Sequence, residues 1–91
     1  MPSHTVPLTN PTGLHARPAK VFAEAAAATG LDVHITKGDA TVNARSVLSI
    51  LTLDCHHGDD VTISVEGDGA DDVLAQLVSL VESGLGEHAP S

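Results

Sequence analysis

The chain has 91 residues, too few for two independent hydrophobic cores, so a single domain spanning residues 1–91 is expected. Four Lys plus Arg against twelve Asp plus Glu give a formal charge of -8, which repels nucleic acid and anionic membrane surfaces and argues against partners of either kind. Cys55 is the only cysteine, which excludes an internal disulfide and a Cys-pair metal site; no apolar run reaches about 18 residues, and the start Met1-Pro2-Ser3-His4-Thr5 lacks the basic segment of a signal peptide, so a cytoplasmic protein without membrane insertion is expected.

In chain order, Val6 and Leu8 point to a short first strand, ended by the turn chemistry of Asn10-Pro11-Thr12-Gly13. Ala19, Phe22, Ala23 and Ala26 then recur at helical spacing, with Gly30 as a stop. Leu31, Val33 and Ile35 alternate with polar residues as in a half-buried strand, and Ala40, Val42 and Ala44 repeat the pattern after Lys37-Gly38-Asp39, which makes a hairpin. Ser46 is placed to cap a short helix carrying Val47, Leu48, Ile50 and Leu51. His57-Gly58-Asp59 turns the chain into a strand with Val61, Ile63 and Val65. A last helix has Asp71 and Asp72 in its positively polarised first turn and an apolar face of Val73, Leu74, Leu77, Val78 and Val81. Gly84 through Gly86 to Pro90 reads as a loose tail, from about residue 85.

The order βαββαβα, with strands apolar on one face only, predicts an α+β fold: an open-faced β-sandwich, a four-stranded antiparallel sheet with three helices on one face. Phe22 is the only aromatic residue, so the core must be built from Val, Leu, Ile and Ala, which suits a thin layered fold without a large ligand cavity.

The stretch richest in chemistry is Gly13-Leu14-His15-Ala16-Arg17-Pro18, where a loop gives way to the first helix. The first turn of a helix carries amides without intrahelical partners and a partial positive charge, so the backbone at Ala16 and Arg17 is a ready cradle for phosphate. Arg17 adds a planar fork of donors, and Pro18 fits a first turn where a missing N–H costs little. An imidazole there is a competent nucleophile near neutral pH, and phosphoryl transfer asks mainly for positioning and charge stabilisation. No carboxylate flanks His15 in sequence and no nucleotide-binding glycine loop or acidic magnesium cluster is present, so the phosphoryl donor would be another phosphoprotein and no cofactor is needed. A histidine at a helix start also suits a cap or a solvated polar residue, and spacing alone does not separate these readings.

Gly13-Leu14-His15-Ala16-Arg17-Pro18-Ala19 resembles the active-site signature of the HPr family, the histidine-containing phosphocarriers of the bacterial phosphoenolpyruvate-dependent sugar phosphotransferase system. Val42-Asn43-Ala44-Arg45-Ser46-Val47-Leu48 resembles the family's regulatory serine region, and Gly58 to Gly67 its strand before the last helix, so the likeness covers nearly the whole chain. The resemblance implies a carrier and not an enzyme. It implies that His15 accepts phosphate on Nδ1 from phosphorylated enzyme I and passes it to enzyme IIA domains, and that Arg17 steadies the group. It implies a docking surface to which Lys20, Arg45, Val47, Leu48 and Leu51 map, on a protein expected to be a monomer. Ser46 corresponds to the position that in some members is phosphorylated by HPr kinase/phosphorylase; a plain N-cap accounts for a serine there equally well.

The sequence departs from the family pattern where relatives commonly carry lysines, having Glu24, Ala27 and Ser49, so apolar contact would carry more of the docking. Two other functions are compatible with the same residues: a regulatory binding module acting through Ser46, and a carrier in a sister nitrogen or dihydroxyacetone relay. Cys55-His56-His57 is not expected to bind metal, because adjacent side chains point to different sides, and no metal site is expected elsewhere. His34 should face solvent, His4 and His88 should lie in loose termini, and Lys20 and Glu24 should form an exposed pair.

Overall fold

Strict alternation of branched apolar and polar residues builds the centre of the molecule. In the computed structural model, which describes residues 2–9 and 13–85, β1 spans Ser3–Pro7, β2 Asp32–Lys37, β3 Ala40–Asn43 and β4 Asp60–Glu66. They form one antiparallel sheet in the order β1-β4-β2-β3. Val33, Ile35, Val61, Ile63 and Val65 point to one face and are buried to 0 % exposure. The other face carries a row in register across all four strands, Thr5, Thr62, Thr36 and Thr41, in which Thr5 and Thr62, and Thr36 and Thr41, share hydroxyl hydrogen bonds of 2.8 Å.

Three helices complete the core: α1 (Ala16–Ala28), α2 (Val47–Leu51) and α3 (Ala70–Glu82). α1 inserts Ala19, Phe22, Ala23 and Ala26, and α3 inserts Leu74, Leu77 and Val81. α3 packs on β4 and β1, and α1 touches both α2 and α3. The predicted βαββαβα order and open-faced arrangement are what the chain adopts.

Some local expectations change. Leu8 lies beyond β1 yet is buried, because its amide donates to the Asp59 carbonyl at 2.9 Å and its carbonyl accepts from Gly58 N–H at 2.8 Å. Gly84 and Leu85, read as the start of a loose tail, are buried; Leu85 takes a left-handed backbone and seats its side chain in the core at 0 % exposure. The rest of that tail and His88 lie outside the described residues, as does the Asn10-Pro11-Thr12 turn. His4 belongs to β1, paired with Ile63, and not to a loose terminus. His34 does point to the open face, but between Asn43 and Ser64 of the neighbouring strands it is only half exposed, with Nδ1 buried. Lys20 and Glu24 are both exposed and make no ion pair within 4 Å, so their helix position brings no charge contact.

Candidate functional site

His15 is the N-cap of α1. Its backbone is extended, at φ -117 and ψ 151, and its side chain makes no capping bond to its own helix, so the imidazole is free to face outward. It is 38 % exposed. Ala16 and Arg17 supply first-turn amides, and the Arg17 side chain is exposed with no ion pair among the described residues. Pro18 and Ala19 on the inner side are buried and anchor the turn. The residues that the sequence singled out for phosphate therefore lie together at one helix end.

Gly13 explains how this end is held. Its φ of +66 is left-handed, and a Cβ there would overlap the Cys55 carbonyl oxygen and lie 2.6 Å from His56 Cα. One residue later the Leu14 amide donates to that same Cys55 carbonyl at 3.0 Å. The start of α1 is thus zipped against the loop after α2, and the loop brings groups that sequence spacing did not place near His15.

Asp54 stands with Oδ1 3.6 Å from His15 Nε2 and 3.4 Å from His56 Nε2, and the two imidazole rings lie 5.2 Å apart, inclined at 48°. The carboxylate missing from the neighbourhood of His15 in sequence is supplied by the fold. Asp54 holds a left-handed φ of 52, a conformation Asp adopts more readily than most residues. Asp54-Cys55-His56 lies in a loop, with Cys55 buried between exposed Asp54 and His56, and nothing in that local pattern names His15 as their neighbour.

Asp59 and Lys37 hold this loop from behind. Asp59 Oδ2 accepts from the His56 backbone N–H at 2.8 Å, pairs with Lys37 Nζ at 3.1 Å and lies 3.8 Å from His56 Nδ1. Lys37 Nζ also donates to the Asp54 carbonyl at 2.8 Å. The His56 amide first, and then the Lys37 ammonium, hold the Asp59 carboxyl below the usual carboxylate range, while the hydrogen bond to Asp59 pushes Lys37 up. Cys55 is fully buried and packs as a small core residue, and that burial pushes its thiol up.

The remaining candidates sit on and around α2. Ser46 caps it, its Oγ accepting from the Ser49 amide at 3.3 Å. Val47 and Leu51 are half-buried against the core, whereas Leu48 is 77 % exposed, an apolar side chain with no covering element. Lys20 is exposed on α1, the helix against which α2 packs. Arg45 is exposed but engaged, with Nη2 3.5 Å from Asp32 Oδ1. No helix among the described residues is long and apolar enough to cross a membrane.

Comparison with known proteins points to one family. A family model for the phosphotransferase-system HPr component phosphorylation site matches residues 2–83. The chain is 45% identical over 76 residues to the phosphocarrier protein HPr of Streptomyces coelicolor, a match covering 82% of each chain. It is 36% identical over 78 residues to the phosphocarrier protein HPr of Chlamydia muridarum, covering 86% of this chain and 75% of that one. The crystal structure of HPr-C-His from Thermoanaerobacter tengcongensis superimposes with a TM-score of 0.92 at 37% identity, covering 98% of this chain and 100% of that one.

Proposed function

The chain belongs to the HPr family, the phosphocarriers of the phosphotransferase system, and on that premise we propose that His15 is its phosphoryl acceptor, loaded on Nδ1 by phosphorylated enzyme I and unloaded to enzyme IIA domains. It is a carrier and not an enzyme. The observation that carries the assignment to His15 is an imidazole at the N-cap of α1 that makes no bond to its own helix, beside exposed Arg17 and the first-turn amides of Ala16 and Arg17. Charge supports this choice of nitrogen: Asp54 Oδ1 faces Nε2 at 3.6 Å and disfavours an incoming phosphoryl group on that side of the ring. Once formed, the phosphoryl group is stabilised by the helix end and by the Arg17 guanidinium.

Partners approach over the α1–α2 surface. Leu48 is its apolar centre, with Val47 and Leu51 beneath and Lys20 and Arg45 supplying positive charge on a chain of net charge -8. In the same reading Ser46 is a regulatory phosphorylation position for HPr kinase/phosphorylase. A phosphate there would place negative charge next to Leu48, on the surface that acidic partners must meet. The carrier acts as a cytoplasmic monomer. Incubation with phosphoenolpyruvate and enzyme I is expected to add one acid-labile phosphoryl group to the wild type and none to His15→Ala. Labelling retained in that variant would move the acceptor elsewhere.

A further inference from the structure

We propose that His15, Asp54 and His56 form a binding site for a divalent transition metal of the zinc class, and that the metal, when bound, reversibly blocks phosphoryl uptake. The donor atoms of the three residues all lie within 4.8 Å of one another. Asp54 Oδ1 is central, 3.6 Å from His15 Nε2 and 3.4 Å from His56 Nε2. Four ligands around zinc at ~2.1 Å are separated by about 3.4 Å, the edge of the tetrahedron, so these two separations already match a filled site. Only the gap between the imidazoles has to close, and both rings are solvent-facing and can turn.

The chemistry of the set selects the ion. Two imidazole nitrogens and one carboxylate oxygen suit zinc and its neighbours, whereas calcium and magnesium prefer shells made wholly of oxygen. Three protein ligands leave a fourth position open to water. The outer shell is in place as well. Asp59 Oδ2 lies 3.8 Å from His56 Nδ1 and accepts from the His56 amide at 2.8 Å, and a carboxylate on the far nitrogen directs the near one toward a metal. Asp54 is fixed from behind by Lys37 Nζ on its carbonyl at 2.8 Å. The cluster joins two chain segments that Gly13 and the Leu14–Cys55 hydrogen bond already hold together, so little ordering remains for the metal to impose.

The functional consequence rests on the reading of His15 as acceptor; metal binding itself does not. A neutral imidazole that ligates metal through Nε2 carries its single proton on Nδ1, the nitrogen that must attack phosphorus. With that lone pair taken up by the proton, the loaded site cannot accept a phosphoryl group until the metal leaves. No bond is made or broken in the ring beyond the choice of tautomer.

The test uses the full, tag-free chain. Calorimetric titration with zinc chloride is expected to give one ion per chain, with affinity weakened at least about tenfold in His56→Ala and in Asp54→Asn, and unchanged in His57→Ala. Imidazole nitrogen resonances of His15 and His56 should move on zinc addition, and magnesium chloride should move neither. Equal zinc affinity in the wild type and His56→Ala, or the absence of binding, would overturn the site. In the second arm, zinc should slow phosphorylation by phosphoenolpyruvate and enzyme I in the wild type and not in His56→Ala, whose uptake without metal should equal the wild type's. Equal slowing of both proteins would place the block outside this cluster and overturn that half. A metal-free wild type that takes up no phosphate would instead sink the assignment of His15 as acceptor, with the titration result standing.

Discussion

α1 and α2 begin alike and diverge at one side chain. Both N-cap residues are extended, His15 at φ -117 and ψ 151, Ser46 at φ -110 and ψ 116. Ser46 returns its hydroxyl to the amide of Ser49, whereas His15 gives nothing back to its helix. Burial explains why the fold tolerates this. α1 has 13 residues and buries Pro18, Ala19, Phe22, Ala23 and Ala26, so packing holds it without a cap. α2 has 5 residues and buries only Ile50, so its cap carries a larger share of its stability. A side chain that serves the backbone in α2 is left unbound to its own helix in α1. What α1 lacks in its own cap it gains from a neighbour, through Gly13, Leu14 and the loop at Cys55.

The comparison breaks most completely if the start of α1 is pushed off that loop. Gly13→Ala introduces a Cβ that overlaps the Cys55 carbonyl on a backbone of φ +66, and should cost about 2–4 kcal/mol in urea unfolding, with phosphoryl uptake lowered as well. Gly30 has nearly the same backbone, φ +71, but nothing within 4 Å of a Cβ, so Gly30→Ala should cost only about 1 kcal/mol and leave uptake intact. Equal costs would mean that backbone conformation alone, and not the close approach to the loop, explains Gly13.

A smaller effect comes from exchanging the caps. Ser46→Ala removes the acceptor of the Ser49 amide and should destabilise by about 1 kcal/mol. His15→Ser supplies α1 with the hydroxyl it lacks, so it should be about 0.5–2 kcal/mol more stable than His15→Ala while both fail to take up phosphate. If the serine brings no gain over alanine, α1 has no open cap position and the contrast with α2 fails.

How much of this was legible in the sequence follows from the range of the interactions. The strand from Val61 to Val65 and the helix around Phe22 announce themselves because burial on one face imposes a period of two or 3.6 on neighbouring residues. His15 and Arg17 stood out by their place at a helix start, but spacing alone left a cap or a solvated residue equally open there, and it was the likeness of the surrounding motif to the HPr signature that singled them out. Asp54 and His56 were not legible. They meet His15 only because the loop after α2 returns to Gly13, a contact between segments about forty positions apart that no periodicity records. Lys37 read as a hairpin residue, yet its ammonium reaches across to the Asp54 carbonyl and the Asp59 carboxylate. Leu85 read as tail because glycines flank it, yet its side chain is buried in the core.

The smallest effect concerns the loop on which α1 leans. Asp59 is held below the usual carboxylate range by the His56 amide and by Lys37, so its folded pKa is depressed from 3.8. A depressed carboxyl contributes stability that is present above its unfolded pKa and is lost as pH falls through the folded value. Lys37, raised from 10.5, contributes below its unfolded pKa and loses that contribution as pH rises through its folded one. The pair therefore stabilises the loop on a plateau from about pH 4 to about pH 10. Asp59→Asn should lower the melting temperature slightly across that plateau, and the gap from the wild type should close as pH falls through the depressed folded value of Asp59, as the pair is weak. The more telling readout is local. At neutral pH the variant should speed hydrogen exchange of the Leu14 amide, which depends on the Cys55 carbonyl of this loop, and leave the Ser49 amide, which depends on Ser46 alone, at the wild-type rate. Equal acceleration at both amides would mean that α1 does not lean on the loop any more than α2 does.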